Sequence, residues 1–222
     1  MCERFTAPAR QVVELAQQES DRLGHNYLGP EHVLAGIARL TDARAARMLR
    51  ASGVDLEAMR AEIDRLVRHG FLPPPWRNDA SLLSGLGVDL AAVRSSAEET
   101  FGGQAVDEAV RRVSRRSRLR GRRGGWTPLC GTALVAKRAF YLAGAEAAEL
   151  GRQAVGPEHL LLGVLADAEA PARWTRRTKR MRAYLGFPQQ PGPDPVKAVI
   201  EACGLTVGTL REAILAELHA TA

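Results

Sequence analysis

The stretch YLGPEHVLAG at residues 27–36 returns 127 positions later as AVGPEHLLLG at 154–163. A single Gly-Pro-Glu-His is a local turn, but two in similar surroundings imply that one supersecondary unit is used twice. The flanks repeat as well. Ala136, Lys137, Ala143, Glu146, Leu150 and Gly151 stand 127 positions after Ala9, Arg10, Ala16, Glu19, Leu23 and Gly24.

Each copy reads as helix. Ala9, Val12, Val13 and Ala16 are spaced i, i+3, i+4, i+7, the apolar stripe of an amphipathic helix. Thr6, two residues before Pro8, is the better N-cap, and Gly24 and Gly151 suit helix C-termini. Pro30 and Pro157 bring a fixed φ to a first helical turn, where no amide hydrogen is needed. Glu31 and Glu158 follow, placing negative charge at the positive end of the helix dipole. SGVDLEAMRAEIDRL (52–66) and CGLTVGTLREAILAEL (203–218, read from Cys203) close the two halves as further helices, and GLGVDLAAVRSSAEETF (85–101) reads as an extra helix between them. Helices are expected over about 7–23, 31–40, 44–51, 55–67, 89–101, 134–150, 158–166, 196–202 and 206–219. The fold class is therefore all-α, with no substantial sheet.

The copies differ in one place. His32 and Gly53 are 21 residues apart, whereas His159 and Gly204 are 45 apart. The additional residues surround ARWTRRTKRMRAYLGFPQQPGPDP (172–195), a basic aromatic stretch with a proline-rich end that is expected to form loop. The organisation is thus a first repeat at 1–70, a linker with extra helix and arginine strap at 71–125, and a second repeat at 126–222 with an insertion at 168–195.

Charge is concentrated in the linker. Arg111, Arg112, Arg115, Arg116, Arg118, Arg120, Arg122 and Arg123 fall within thirteen residues without an acid, and removing them turns the net charge of +6 into −2. Such a strap can contact nucleic-acid phosphates, but it contains no aromatic residue for base stacking. A solvated or protein-facing linker is the favoured reading, and a nucleic-acid-associated regulator is the alternative. Trp174, Arg176, Arg177, Lys179, Arg180 and Arg182 form a second basic cluster. Three scattered cysteines and five histidines without ligand spacing imply neither disulfide nor metal. No apolar run has membrane-span length, and the N-terminus lacks a signal peptide's apolar centre, so a soluble cytoplasmic protein is expected.

ERFTAPARQVVELAQQESDRLGHNYLGPEHVLAGI (3–37) and AKRAFYLAGAEAAELGRQAVGPEHLLLGVL (136–165) resemble the N-terminal domain of Clp chaperones, the ClpC type of AAA+ unfoldase in particular. The resemblance implies two pseudo-twofold-related four-helix repeats, here with the extra linker helix. It also implies a non-catalytic interaction module that receives substrates and adaptors, acting as adaptor or decoy beside a Clp unfoldase. The chain has three lysines, none after a glycine, so no P-loop can be drawn; a free-standing domain without motor, ATPase activity or cofactor is expected.

In that family the glutamate of each Gly-x-Glu-His motif can bind phosphoarginine. The matching residues are Glu31 and Glu158, supported by Thr6 in the first repeat. Thr6's counterpart is Ala133, beside Thr132, so Glu31 is expected to be the better site. As ligand groups both carboxylates must be solvent-reachable; as plain helix-start acids they need not be. The family's peptide groove maps to Arg10, Val13 and Gln17. His32 and His159 are expected to be packed or capping side chains, because adjacent helical residues do not form a catalytic dyad.

Overall fold

The computed structural model describes residues 4–75, 88–109, 133–170, 176–188 and 192–220. The chain divides into two compact units, Met1–Pro74 with Leu134–Ala222, and Pro75–Ala133. The described helices of both repeats lie in the first unit.

The first repeat comprises α1 (Ala7–Arg22), β1 (Tyr27–Leu28), α2 (Pro30–Arg39), α3 (Arg44–Ala51) and α4 (Leu56–Arg68). The linker unit contains α5 (Leu90–Phe101), whose Arg94 pairs with Glu98 at 2.7 Å and Asp107 at 3.0 Å. After β2 (Ala133–Leu134) the second repeat comprises α6 (Lys137–Glu149), α7 (Pro157–Glu169), α9 (Pro195–Ala202) and α10 (Val207–Ala220). Between α7 and α9 stands α8 (Arg176–Tyr184). The fold is all-α; β1 and β2 form only a two-stranded pairing.

Two expectations are corrected. The insertion contains a helix where loop was expected, because Arg, Lys, Met and Ala in α8 are good helix formers despite lacking an apolar period. The second repeat's first helix begins at Lys137 rather than near 134, since the preceding residues run extended beside β1. There the N–H groups of Val135 and Ala136 donate to Leu28 O at 2.8 and 2.9 Å. On the other side Thr6 N–H donates to Val155 O at 3.0 Å, and Val155 N–H to Arg4 O at 2.8 Å. Each repeat's opening segment is thus held by the segment that precedes the other repeat's Gly-Pro-Glu-His.

Within each repeat the first two helices cross closely through a glycine. A Cβ at Gly36 would lie 2.6 Å from Val12 O and 2.8 Å from Ala16 N; one at Gly163 would strike Ala139 O and Ala143 N. Val12/Ala139 and Ala16/Ala143 are again 127 apart. The core is built from Val12, Ile37, Leu49, Met59 and Leu66 on one side and Leu160, Leu161, Leu165, Val199 and Leu210 on the other. Helix α2 also packs on α7 and α9, so the repeats share one core.

A charged lock recurs beside it. Buried Glu19 accepts from Arg60 at 2.6 and 3.1 Å and from Arg22 at 3.0 Å, with Arg39 at 3.3 Å. Burial raises the carboxyl's pKa, but the hydrogen bonds and charges of Arg60 and Arg22 outweigh it and leave a net lowering. In the second repeat Arg211 grips Glu146, tying α10 to α6 as Arg60 ties α4 to α1. Burial prevails there, and the Glu146 carboxyl is shifted up.

Candidate functional site

Thr6 caps α1 as expected, its Oγ1 accepting from Ala9 N–H at 3.2 Å. Gly24 and Gly151 take left-handed φ of 64° and 68°, which ends each first helix without a Cβ penalty.

The duplicated Gly-Pro-Glu-His has the same local construction in both repeats. Glycine is the N-cap, proline, glutamate and histidine are the first three helical residues, and histidine reaches back. Gly29 N–H donates to His32 Nδ1 at 3.0 Å, and Gly156 N–H to His159 Nδ1 at 2.9 Å. The histidines are thus the capping groups expected of them. The glutamate curls over the glycine: a Cβ at Gly29 or Gly156 would collide with the carboxylate of Glu31 or Glu158. Glycine, proline, glutamate and histidine are therefore each required by one compact turn.

An Nδ1 that accepts is unprotonated, so the proton of neutral His32 sits on Nε2. That nitrogen lies 3.0 Å from His25 Nδ1, which must accept; His25 Nε2–H then donates to Pro73 O at 3.0 Å. One relay runs from Gly29 through two neutral imidazoles to the end of the first repeat. Burial, the largest cause, holds His25 down to about 4 and pushes His32 well below its ordinary value, which suits a chain of uncharged rings. His25, His32 and Glu31 bring ligand-type atoms within 4.8 Å of one another. The imidazole nitrogens are already committed to the relay, and we assign no cation there.

The two carboxylates differ sharply. The Glu31 side chain is 2% exposed and that of Glu158 is 26% exposed. Glu31 is thus not solvent-reachable, and the expectation that it would be the more available site is corrected. Burial is the dominant cause that pushes the Glu31 carboxyl up to about 7; its own amide and the Tyr27 hydroxyl act in the opposite sense, Asp194 raises it further, and Arg182 lowers it. Tyr27 is wholly buried, stacked on His25 at 4.8 Å and covered by Phe187 at 4.7 Å.

Sequence reasoning missed Tyr27, His25, Arg182, Phe187 and Asp194 as neighbours of Glu31. A signal was present for two of them. At offset 127, His25 and Tyr27 correspond to Arg152 and Ala154, so the repeats diverge at the positions that roof the carboxylate. Both of the latter are exposed.

The other site residues are dispersed. Val13 is buried in the core, so it is not part of an open groove. Arg10 Nη1 is engaged by Phe5 O at 2.6 Å, and Gln17 Nε2 donates to Asp21 at 3.0 Å. Ala133 lies in β2, and the α6 N-cap, Ala136, has no side chain able to cap. Thr132, Trp174 and the strap from Arg111 to Arg123 lie outside the described residues. Among the described residues no helix is long and apolar enough to cross a membrane.

Comparison with known proteins bears on the repeat. The family model of the Clp repeat (R) N-terminal domain matches residues 4–71. Over 172 residues, 78% of this chain, identity is 31% with a probable ATP-dependent Clp protease ATP-binding subunit of Chlamydia pneumoniae and 30% with the chloroplastic chaperone protein ClpC of Pisum sativum. The aligned stretch is 14% and 13% of those proteins' lengths. The N-terminal domain of the chaperone ClpD from Arabidopsis thaliana shares the fold, with a TM-score of 0.51 and 17% identity over 98% of this chain and 96% of that one. A chain described under structural investigations of a malarial protein secretion system gives a TM-score of 0.50 and 15% identity over 98% and 94%. The chain thus carries a Clp repeat at 4–71, is similar to Clp subunits over 78% of its length and has the fold of a Clp N-terminal domain.

Proposed function

We propose that this domain is a non-catalytic interaction module that serves as adaptor or decoy in Clp-dependent proteolysis, receiving phosphoarginine-marked or peptide ligands at the second repeat. The observation that supports it most is the contrast between the two carboxylates: Glu158 keeps a helix-start position with 26% of its side chain exposed, while Glu31 is closed. A guanidinium can pair with the Glu158 carboxylate through two parallel hydrogen bonds. The ligand's phosphate then faces the positive end of α7 and the exposed Arg152. Partners are a Clp-type unfoldase or its substrates and adaptors.

Calorimetric titration with phosphoarginine tests the assignment. Glu158→Gln should weaken binding by about 1.5–3 kcal/mol, the worth of a charged hydrogen bond. Equal affinity of the variant and the parent refutes the role of Glu158. Capture of an unfoldase from lysate by the parent chain tests the partner.

The alternative, a nucleic-acid-associated regulator using the strap at 111–123, gains support from α8. Arg176, Lys179 and Arg180 are exposed on it and make no ion pair among the described residues. Duplex affinity that falls steeply with salt and disappears on deleting 111–123 favours that reading.

A further inference from the structure

The residues gained within the second repeat do more than lengthen a loop. Helix α8 ends in a tight reversal: Gly186 N–H donates to Ala183 O at 3.1 Å and Phe187 N–H to Arg182 O at 2.9 Å. This is a Schellman termination, with Gly186 at φ 82° as the left-handed residue. Its two hydrogen bonds fix Arg182 and Phe187 against each other, with the guanidinium carbon 3.9 Å from the ring centroid. Leu185 and Phe187 are buried, whereas Arg176, Lys179, Arg180 and Tyr184 face outward. The inward end meets Tyr27 through Phe187, and Gly186 lies against Pro73, the residue that ends the histidine relay. Glu31 is the largest favourable charge partner of Arg182, ahead of Tyr27 and Asp194.

We propose that residues 176–188 are an intramolecular cover over the first repeat, in which Phe187, backed by Arg182, closes the Tyr27–Glu31 pair. The proposal rests on the carboxylate-site reading above and adds a regulation that the second repeat lacks. Three observations carry it. The terminating turn of α8 holds Arg182 against the Phe187 ring, 3.9 Å from its centroid. The rings of Phe187 and Tyr27 pack directly. The Glu31 side chain beneath them is 2% exposed, whereas that of Glu158 is 26% exposed. The parent chain therefore takes one equivalent of arginyl ligand, at Glu158, and an opened chain takes two.

The test uses the full chain with Phe187→Ala and Arg182→Ala, and reads two quantities. The first is the titration of the Glu31 carboxyl followed by carbon NMR. In either variant its midpoint should fall from near 7 by at least about one pH unit, as water reaches the group. An Arg182 that is only a counter-charge gives the opposite sign, a rise in Arg182→Ala, and that result overturns the proposal, as does an unmoved midpoint. The second is phosphoarginine stoichiometry, expected to go from one to two and to return to one in Phe187→Ala/Glu31→Gln. If neither parent nor variants bind phosphoarginine, the carboxylate-site reading fails by itself, while the Glu31 midpoint still decides whether 176–188 is a cover. Should Phe187→Ala not fold, Arg182→Ala, which alters a half-buried side chain, decides by the same midpoint.

Discussion

Replacing Glu31 by glutamine should stabilise the protein, and only above mildly acidic pH. The folded-state carboxyl titrates near 7 against an ordinary 4.5. Between those values the folded chain keeps a proton that the unfolded chain has released, so stability falls as pH rises through the window. At about 1.36 kcal/mol per unit, the full difference is about 3.4 kcal/mol, complete above about pH 7. The groups that face the carboxyl are the Tyr27 hydroxyl, Asp194, Arg182 and the neutral His32. Glutamine keeps the shape and cannot ionise, so this loss disappears. The buried histidines act in the opposite sense. Their folded values lie below 6.5, so their contribution is present above 6.5 and is lost as pH falls toward about 4. They are common to both proteins and cancel in the difference. Urea unfolding followed by far-UV circular dichroism at several pH values reads the result. Glu31→Gln should match the parent near pH 4 and exceed it by about 3 kcal/mol near pH 8, with an unchanged m-value. A pH-independent difference, or a variant weaker than the parent near pH 8, refutes the assignment of a buried, proton-holding carboxyl.

Other substitutions test the surrounding construction. His32→Ala orphans the Gly29 amide and breaks the relay to His25, costing about 2–4 kcal/mol, whereas His159→Ala breaks the bond from the Gly156 amide and costs about 1–2 kcal/mol in the same urea assay. Gly36→Ala and Gly163→Ala each force a methyl into the backbone of the neighbouring helix and should cost at least about 1–3 kcal/mol, read as a lowered Tm. Arg60→Ala leaves Glu19 with Arg22 and Arg39, so its cost should stay under the about 3–5 kcal/mol typical of stripping a buried carboxylate of its partner, and the loss should shrink as acid protonates Glu19.

Much of the fold is set by local pattern, which a sequence shows directly. The apolar stripe Ala9–Val12–Val13–Ala16, the Thr6 cap, the left-handed Gly24 and Gly151 and the paired proline starts all act within a few residues of themselves. The 127-residue offset even carries the glycine crossings and the position of Glu19 into Gly163 and Glu146. The histidine cap is of the same kind, since His32 needs only the amide three residues before it. What the offset could not convey is the state of the two glutamates. Their local turns are alike, and each carboxylate folds over its glycine in the same way. Yet one lies under Tyr27 and Phe187, with Arg182 and Asp194 near it, and the other is partly in water. Exposure and proton affinity depend on how much low-dielectric material surrounds a group, and for Glu31 only part of it, Tyr27, is local, while Phe187, Arg182 and Asp194 come from more than 150 positions away. Local spacing therefore determined where the carboxylates stand, whereas the packing of the insertion onto the first repeat decided which of them meets solvent.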